Sequence, residues 1–293
     1  PGLRFLHPGS VSFPRAEARM QTEFEMADRQ LTLAYEANLA EWWQAHILAS
    51  GGTADCTRGL DWSLDKHGGG SSMHRIRLDE AGFDAVIDRC LDEAVPHGSA
   101  VWAYVSQHAT PEDAIQRLRA MGFHHNKRFD VFIHRLDGLE VPALRAGVTI
   151  ERLTGLDRFS KQVPHPYVGA VTTPARKQAI AAEQSLIQSR PDDFFSWLLC
   201  IDGVPVSSVT VLITDGMAGI YNVGTVEAAR GQGHAGTLLT YALGQARQAG
   251  ATAAGLIAVA RAEALYERVG FRPEGWISWL YYSKTRMAKR VVG

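Results

Sequence analysis

Cysteine is scarce in this chain. Cys56, Cys90 and Cys200 are scattered, odd in number and never in a CxxC spacing. That pattern excludes a disulfide framework and a thiolate zinc site, and makes a reducing cytoplasm the expected compartment. Long apolar runs are also missing. The densest, Phe194 to Ile201, is strand-sized, far short of the ~20 residues of a membrane-spanning helix. No membrane partner is expected, and no basic-then-apolar leader opens the sequence. Excess charge of either sign is absent: the net charge is −1 over 293 residues. Nothing global therefore draws the chain to nucleic acid or to anionic lipid. His124-His125 has no third ligand at metal spacing, so no metal is expected. The glycines of HGGGSS, residues 67–72, do not stand between a strand and an amphipathic helix, and are read as a flexible loop rather than a phosphate cradle.

What is present is ordinary globular material, 46% apolar and 21% charged, in a length that suggests two domains. The halves look alike at their ends. PEDAIQRLRAMGF (111–123) and RAEALYERVGF (261–271) align Phe123 with Phe271, Gly122 with Gly270 and Ala114 with Ala262. A strand-like run precedes each helix (AVWAYVS and GLIAVA) and another follows it (DVFIHRL and SWLYYS). This is a weak internal repeat at about half the chain. The turn-rich segment DGLEVPALRAG, residues 137–147, divides it. The expected units are 1–140 and 148–293.

The second half alternates legibly. Strands are expected at 148–152, 194–201, 206–214, 218–226, 255–259 and 277–283. Hairpin turns are expected at Asp202-Gly203 and Asp215-Gly216. Helices are expected near 174–189, from about 235 to Gly250, and at 261–269. The first half is less clear beyond a mostly helical stretch from Gln21 to Ala49. The fold class is α/β of the α+β kind: two mixed β-sheet domains flanked by helices.

The chemistry concentrates in TVEAARGQGHAG, Thr225 to Gly236. Three glycines open a helix directly after a strand. The first N–H groups of a helix have no partners inside it, the helix dipole is positive there, and small residues let an anion approach. Arg230 adds charge. A tight strand-to-helix turn would use the same glycines, but the whole segment is more specific. Arg230-Gly231-Gln232-Gly233-His234-Ala235 is similar to the R/Q-x-x-G-x-G/A signature of the GNAT family of N-acetyltransferases. Further on, Ala262, Leu265, Tyr266, Gly270 and Phe271 resemble its A-x-x-L-Y-x-x-x-G-F signature. The resemblance covers about residues 148–293, and the first half looks like a degenerate copy, as in tandem members with one working site.

The resemblance implies roles. Arg230, Gly231, Gln232, Gly233, His234, Ala235, Gly236 and Thr237 would hold the pyrophosphate of acetyl-CoA. Backbone groups of Thr225 and Val226 would bind the thioester and pantetheine, with Gly224 allowing close approach. Tyr266 would be the general acid toward the departing thiolate. The acceptor would be a primary amine of a small molecule, attacking directly. His165, Tyr221, Asn222 and Trp279 are candidates for its binding site. Many relatives carry a glutamate on the fourth strand; here Tyr221 and Asn222 stand there, so no general base is legible. Val259 replaces a family asparagine three residues before Ala262. A CoA-binding regulatory module, or use of another acyl-CoA, remain the alternatives, in a monomer or homodimer.

Overall fold

The computed structural model describes residues 14–154 and 174–290. It opens with one long helix, α1 (Pro14–Ala49), of 36 residues. No glycine or proline interrupts Arg15 to Ser50, and good helix formers, Ala, Glu and Leu, are its commonest residues. Pro14 occupies the first turn, where its missing N–H leaves no bond unmade. The helix stops at Gly51, whose φ is 83°, with the Gly52 N–H donating back to the Ile47 carbonyl at 2.9 Å.

Eleven strands follow: β1 (Thr53–Asp55), β2 (Asp61–Leu64), β3 (Ser71–His74), β4 (Val101–Ser106), β5 (His124–Arg135), β6 (Val148–Arg152), β7 (Phe194–Ile201), β8 (Val204–Thr214), β9 (Met217–Thr225), β10 (Ala253–Ile257) and β11 (Arg272–Tyr282). The other helices are α2 (Phe83–Ala94), α3 (Ala114–Ala120), α4 (Pro174–Ser189), α5 (His234–Gln248), α6 (Glu263–Val269) and α7 (Lys284–Arg290). The result is the mixed α/β architecture expected, in one sheet ordered β1-β2-β3-β4-β11-β5-β10-β9-β8-β7-β6.

That order has a consequence for the halves. β5, the last strand of the first, pairs with β10 of the second. β11, the last strand of the second, lies between β4 and β5. Each half therefore completes its sheet with the other's final strand. This also explains why β11 begins at Arg272 rather than at Ile277: Arg272 and Pro273 pair with Ile133 and Phe132 of β5. Ser71 and Ser72 are likewise buried strand residues rather than loop, held by pairing with β2 and β4. The two parallel pairs, β3–β4 and β9–β10, are each bridged by a crossover helix, α2 and α5. Just past each pair stands a non-glycine residue in the left-handed region, Arg75 at φ 44° and Asn222 at φ 53°.

Strand alternation sorts the core onto two faces. Val131 and Ile133 pack toward α1, with Tyr35, Leu39 and Ile277. Beside them α4 and α1 cover Leu198 and Leu212 through Ile187 and Trp42. The opposite face carries α5 and α6 over Val209, Ile220, Leu256 and Phe271, and α2 and α3 over Trp62, Met73 and Val105. α1 is fixed by Asn38, fully buried. Its Nδ2 donates to the Leu212 carbonyl at 2.9 Å, Thr214 Oγ1 at 2.6 Å and the Met217 carbonyl at 3.1 Å.

Candidate active site

The strand-to-helix turn after β9 is built by glycine geometry. Gly231 and Gly233 have φ of 77° and 83°, values a side chain resists. A Cβ placed on either would meet nothing within 4 Å, so the space over the turn is open. The first helical hydrogen bond of α5 runs from the Thr237 N–H to the Gly233 carbonyl at 3.0 Å. The N–H groups of His234, Ala235 and Gly236 have no carbonyl a turn behind them. Arg230 is exposed beside them and its Nε donates to the Thr225 carbonyl at 3.3 Å. Gly236 serves packing: a Cβ there would touch Leu265 and Val269 of α6 at 3.6 and 3.9 Å. Residues 230–237 thus gather at the positive end of α5, an arrangement that fits a diphosphate.

This turn stands over a wedge in the sheet. β9 and β10 pair only at Met217–Ala253, Ala218–Ala254 and Gly219–Gly255. Beyond that point β9 follows β8, and β10 follows β5. Val226 N–H turns to the Val206 carbonyl at 2.9 Å. The corresponding place in the first half is bridged. There Thr110 N–H donates to Ile76 and Leu78 N–H to Thr110, both at 3.1 Å. At the start of α2, Asp79 Oδ1 accepts the Gly82 N–H at 2.6 Å. A carboxylate thus stands where the second half offers open glycine N–H groups.

Tyr35 and Tyr266 interact electrostatically near Ile257, at the end of β10. Tyr35 of α1 is 1% exposed. Its phenol is pushed well above the usual range by burial and further by Tyr266, while a backbone hydrogen bond from Ile257 pulls it down. Tyr266 of α6 comes from the opposite face; it is buried, with its ring edge-on to Phe271 at 6.1 Å. α1 approaches closely because β9 and β10 carry glycine: a Cβ at Gly255 would lie 2.4 Å from the Tyr35 ring.

On the α1 and α4 face, β9 bulges. Ser208 pairs with Gly224 and Thr210 with Tyr221, so Asn222 and Val223 stand opposite the single residue Val209. Tyr221 donates its hydroxyl to Asn38 Oδ1 at 2.6 Å and stacks on Trp42 at 3.9 Å. Asn222 Nδ2 donates to Glu183 Oε1 at 2.8 Å. Thr210 Oγ1 reaches the same oxygen at 3.0 Å and lies 2.9 Å from Ser196 Oγ. Glu183 is 5% exposed. Burial pushes its carboxyl up to about 7, against the pull of Thr210 and Asn222.

The structure places Thr225, Val226 and residues 230–237 around the start of α5, with Tyr266 on the helix packed against Gly236, while Tyr221 and Asn222 face α1 and α4 on the other side of the sheet. Trp279 is elsewhere: it packs on Phe129 at 4.3 Å and Tyr104 at 5.3 Å, on a strand two places from β10. The strand exchange carries it to the junction of the halves. His165 lies outside the described residues. Sequence reasoning passed over Tyr35 and Asn38, and weighed Glu183 as a base no better supported than His165. For Glu183 a signal existed: with Ile180 and Ile187 it forms an i, i+3, i+7 stripe, placing a carboxylate on the buried side of α4. A groove of about 500 Å³ lined by Arg152, Phe195, Trp197 and Tyr241 lies toward the other end of α5, away from this chemistry. Among the described residues, no three His, Cys, Asp or Glu side chains gather to hold a metal, and no helix is long and apolar enough to cross a membrane.

Comparison with known proteins gives the following. Residues 163–271 match the model of the acetyltransferase (GNAT) family. No curated protein matches the sequence. Among solved structures, a GCN5-related N-acetyltransferase from Kribbella flavida is similar with a TM-score of 0.64 and 21% identity, over 85% of this chain and 95% of that one. Another, from Sphaerobacter thermophilus, has a TM-score of 0.58 and 19% identity over 77% of each chain. A tandem GNAT protein from the clavulanic acid biosynthesis pathway has a TM-score of 0.57 and 16% identity, over 77% of this chain and 78% of that one. At these identities the likeness is one of fold.

Proposed function

We propose that this protein, whose residues 163–271 match the model of the acetyltransferase (GNAT) family, transfers an acetyl group from acetyl-CoA to a primary amine of a small molecule. The observation that carries the reading is the open glycine turn beside the β9–β10 wedge, against which the helix bearing Tyr266 packs through Leu265 and Val269. Acetyl-CoA supplies the activated acyl group. The N–H groups of residues 232–236 and the Arg230 guanidinium hold its diphosphate. Backbone groups of Thr225 and Val226, beyond the last pairing of β9 with β10, orient the pantetheine and thioester. Tyr266 donates its phenolic proton to the departing sulfur, which lowers the barrier to breaking the C–S bond.

The acceptor enters from the opposite face, between α1, α4 and the β9 bulge, where Tyr221 and Asn222 border it. A net charge of −1 supplies no broad charged surface to dock a protein substrate, which favours a small amine. One acyl-CoA binds per chain. The first half is closed to it by the hydrogen bonds across its wedge and by Asp79 at the start of α2, and it contributes α1 to the acceptor side. The test is calorimetric binding of acetyl-CoA, followed by thiol release across a panel of primary amines. Binding with turnover of at least one amine is expected. Absence of binding by the folded protein refutes the reading.

A further inference from the structure

We propose that Glu183, on α4, is the general base of this site, accepting a proton from the ammonium form of the acceptor amine. The inference rests on the acyltransferase reading above and supplies what the β9 sequence lacks. Glu183 reaches the reacting region through the bulge. Asn222, at φ 53°, turns its amide to Glu183 at 2.8 Å, three residues past the point where β9 parts from β10. The carboxyl therefore stands against the stretch of β9 that borders the open wedge. It lies on the face of α1 and α4, opposite the face that carries the glycine turn. The glycine turn and the carboxyl thus stand on opposite faces of the sheet beside the same stretch of β9.

The surroundings hold the carboxyl in one orientation. Oε1 receives both Asn222 and Thr210, and Thr210 is in turn held by Ser196. Burial keeps the proton affinity high, at about 7, where a carboxylate is a useful base at neutral pH. Among the described residues, the titratable and charged groups on the elements around it include His46, Tyr221, Cys200, Lys177 and Glu41. His46 of α1 is held neutral by burial, down to about 4. Tyr221 of β9 is pushed up. Cys200 is buried on β7, Lys177 lies on the exposed side of α4, and Glu41 pairs with Arg190 at 2.6 Å.

The proton count balances. Glu183 takes one proton from R–NH3+. The freed nitrogen bonds to the acyl carbon as the C–S bond breaks. The second proton leaves nitrogen to solvent, the sulfur departs as thiol with the proton from Tyr266, which solvent then restores, and Glu183 releases its proton to solvent. The net change is R–NH3+ and acyl-CoA to amide, CoA thiol and one proton.

The test is Glu183→Gln. The amide oxygen can still accept from Thr210 and Asn222, so the fold should persist. Wild type should show kcat/KM rising through an acid limb near 7 and levelling below the pKa of the amine. The variant should lose roughly 10²-fold at pH 7 and should rise only with the free-amine fraction, while its acetyl-CoA Kd stays unchanged. Independently of turnover, an infrared titration of the wild type without ligand should show a carboxyl protonating near 7 that is missing in the variant. The variant should also melt higher than wild type at pH 8, because no ionised carboxylate is buried there. Asn222→Ala should move the acid limb to higher pH, since the lost donor favours the anion. A variant within threefold of wild type with its acid limb intact overturns the proposal alone. Failure of wild-type protein to bind acetyl-CoA, or to acylate any amine of the panel, overturns the acyltransferase reading and the base with it.

Discussion

Gly233 separates backbone strain from electrostatics at the glycine turn. Its φ is 83°, and a Cβ there meets nothing within 4 Å. Alanine and glutamate should both fold, each with the left-handed cost of about 1–2 kcal/mol. In a chain of this size that lowers Tm by roughly 2–8 °C. Only glutamate adds charge. A carboxylate about 5 Å from a diphosphate opposes roughly two negative charges. At an effective dielectric between water and a protein surface the repulsion is about 2–4 kcal/mol, or roughly 30- to 1,000-fold in Kd. Calorimetry of acetyl-CoA on Gly233→Ala and Gly233→Glu measures both terms. The alanine variant should lose several-fold at most, and the glutamate penalty should shrink at high salt. Equal losses in the two variants would place the effect in backbone strain, and unchanged affinity in a folded Gly233→Glu protein would remove the diphosphate from this turn.

Three further outcomes follow from the geometry. Tyr266→Phe keeps the ring against Phe271 and removes only the hydroxyl, so kcat should fall roughly 10²-fold with acetyl-CoA affinity unchanged; near-normal kcat with a lower Tm would make it a packing tyrosine. Titration should give one acetyl-CoA per chain, since Asp79 occupies the start of α2; two equivalent sites would refute the closed first half. Two buried histidines should cost stability in mild acid. Burial lowers His46 from 6.5 to about 4 and, with Arg75 adding to it, His74 from 6.5 to about 3. Below pH 6.5 the unfolded chain takes up protons that the folded chain refuses. The loss at pH 5 is about 2 kcal/mol for each histidine, and Glu183, raised to about 7, offsets part of it by binding a proton in the folded chain over the same range. Urea unfolding of the Glu183→Gln variant at pH 7.5 and 5 isolates the two rings; equal stability at both would show that neither ring is held neutral.

Features that depend on neighbours in sequence were legible without coordinates. Left-handed glycines, a strand running into a helix and the Asp-Gly hairpins are set by local φ and ψ, and local residues report them. The turn at Arg230–Gly236 and the helix bearing Tyr266 could therefore be found from spacing alone, as could the alternation of elements from β6 to β11. What remained hidden depends on contacts between distant segments. No local rule states that β5 and β11 complete each other's sheets, because strand propensity fixes a strand but not its partner. Trp279 was for that reason open to two readings, beside the acceptor or in packing between the halves, and its contacts with Phe129 and Tyr104 are packing. Asn38 reads as an ordinary helix residue, and only the docking of α1 on β8 and β9 gives its amide three acceptors and a phenol. Glu183 stands in the apolar stripe of α4, but a stripe does not say which strand will meet it. The β9 bulge decides that, by turning Asn222 toward a carboxylate 39 residues away in sequence. Sequence determined where an anion can be held; tertiary packing alone decided which distant groups surround the place where the reaction would occur.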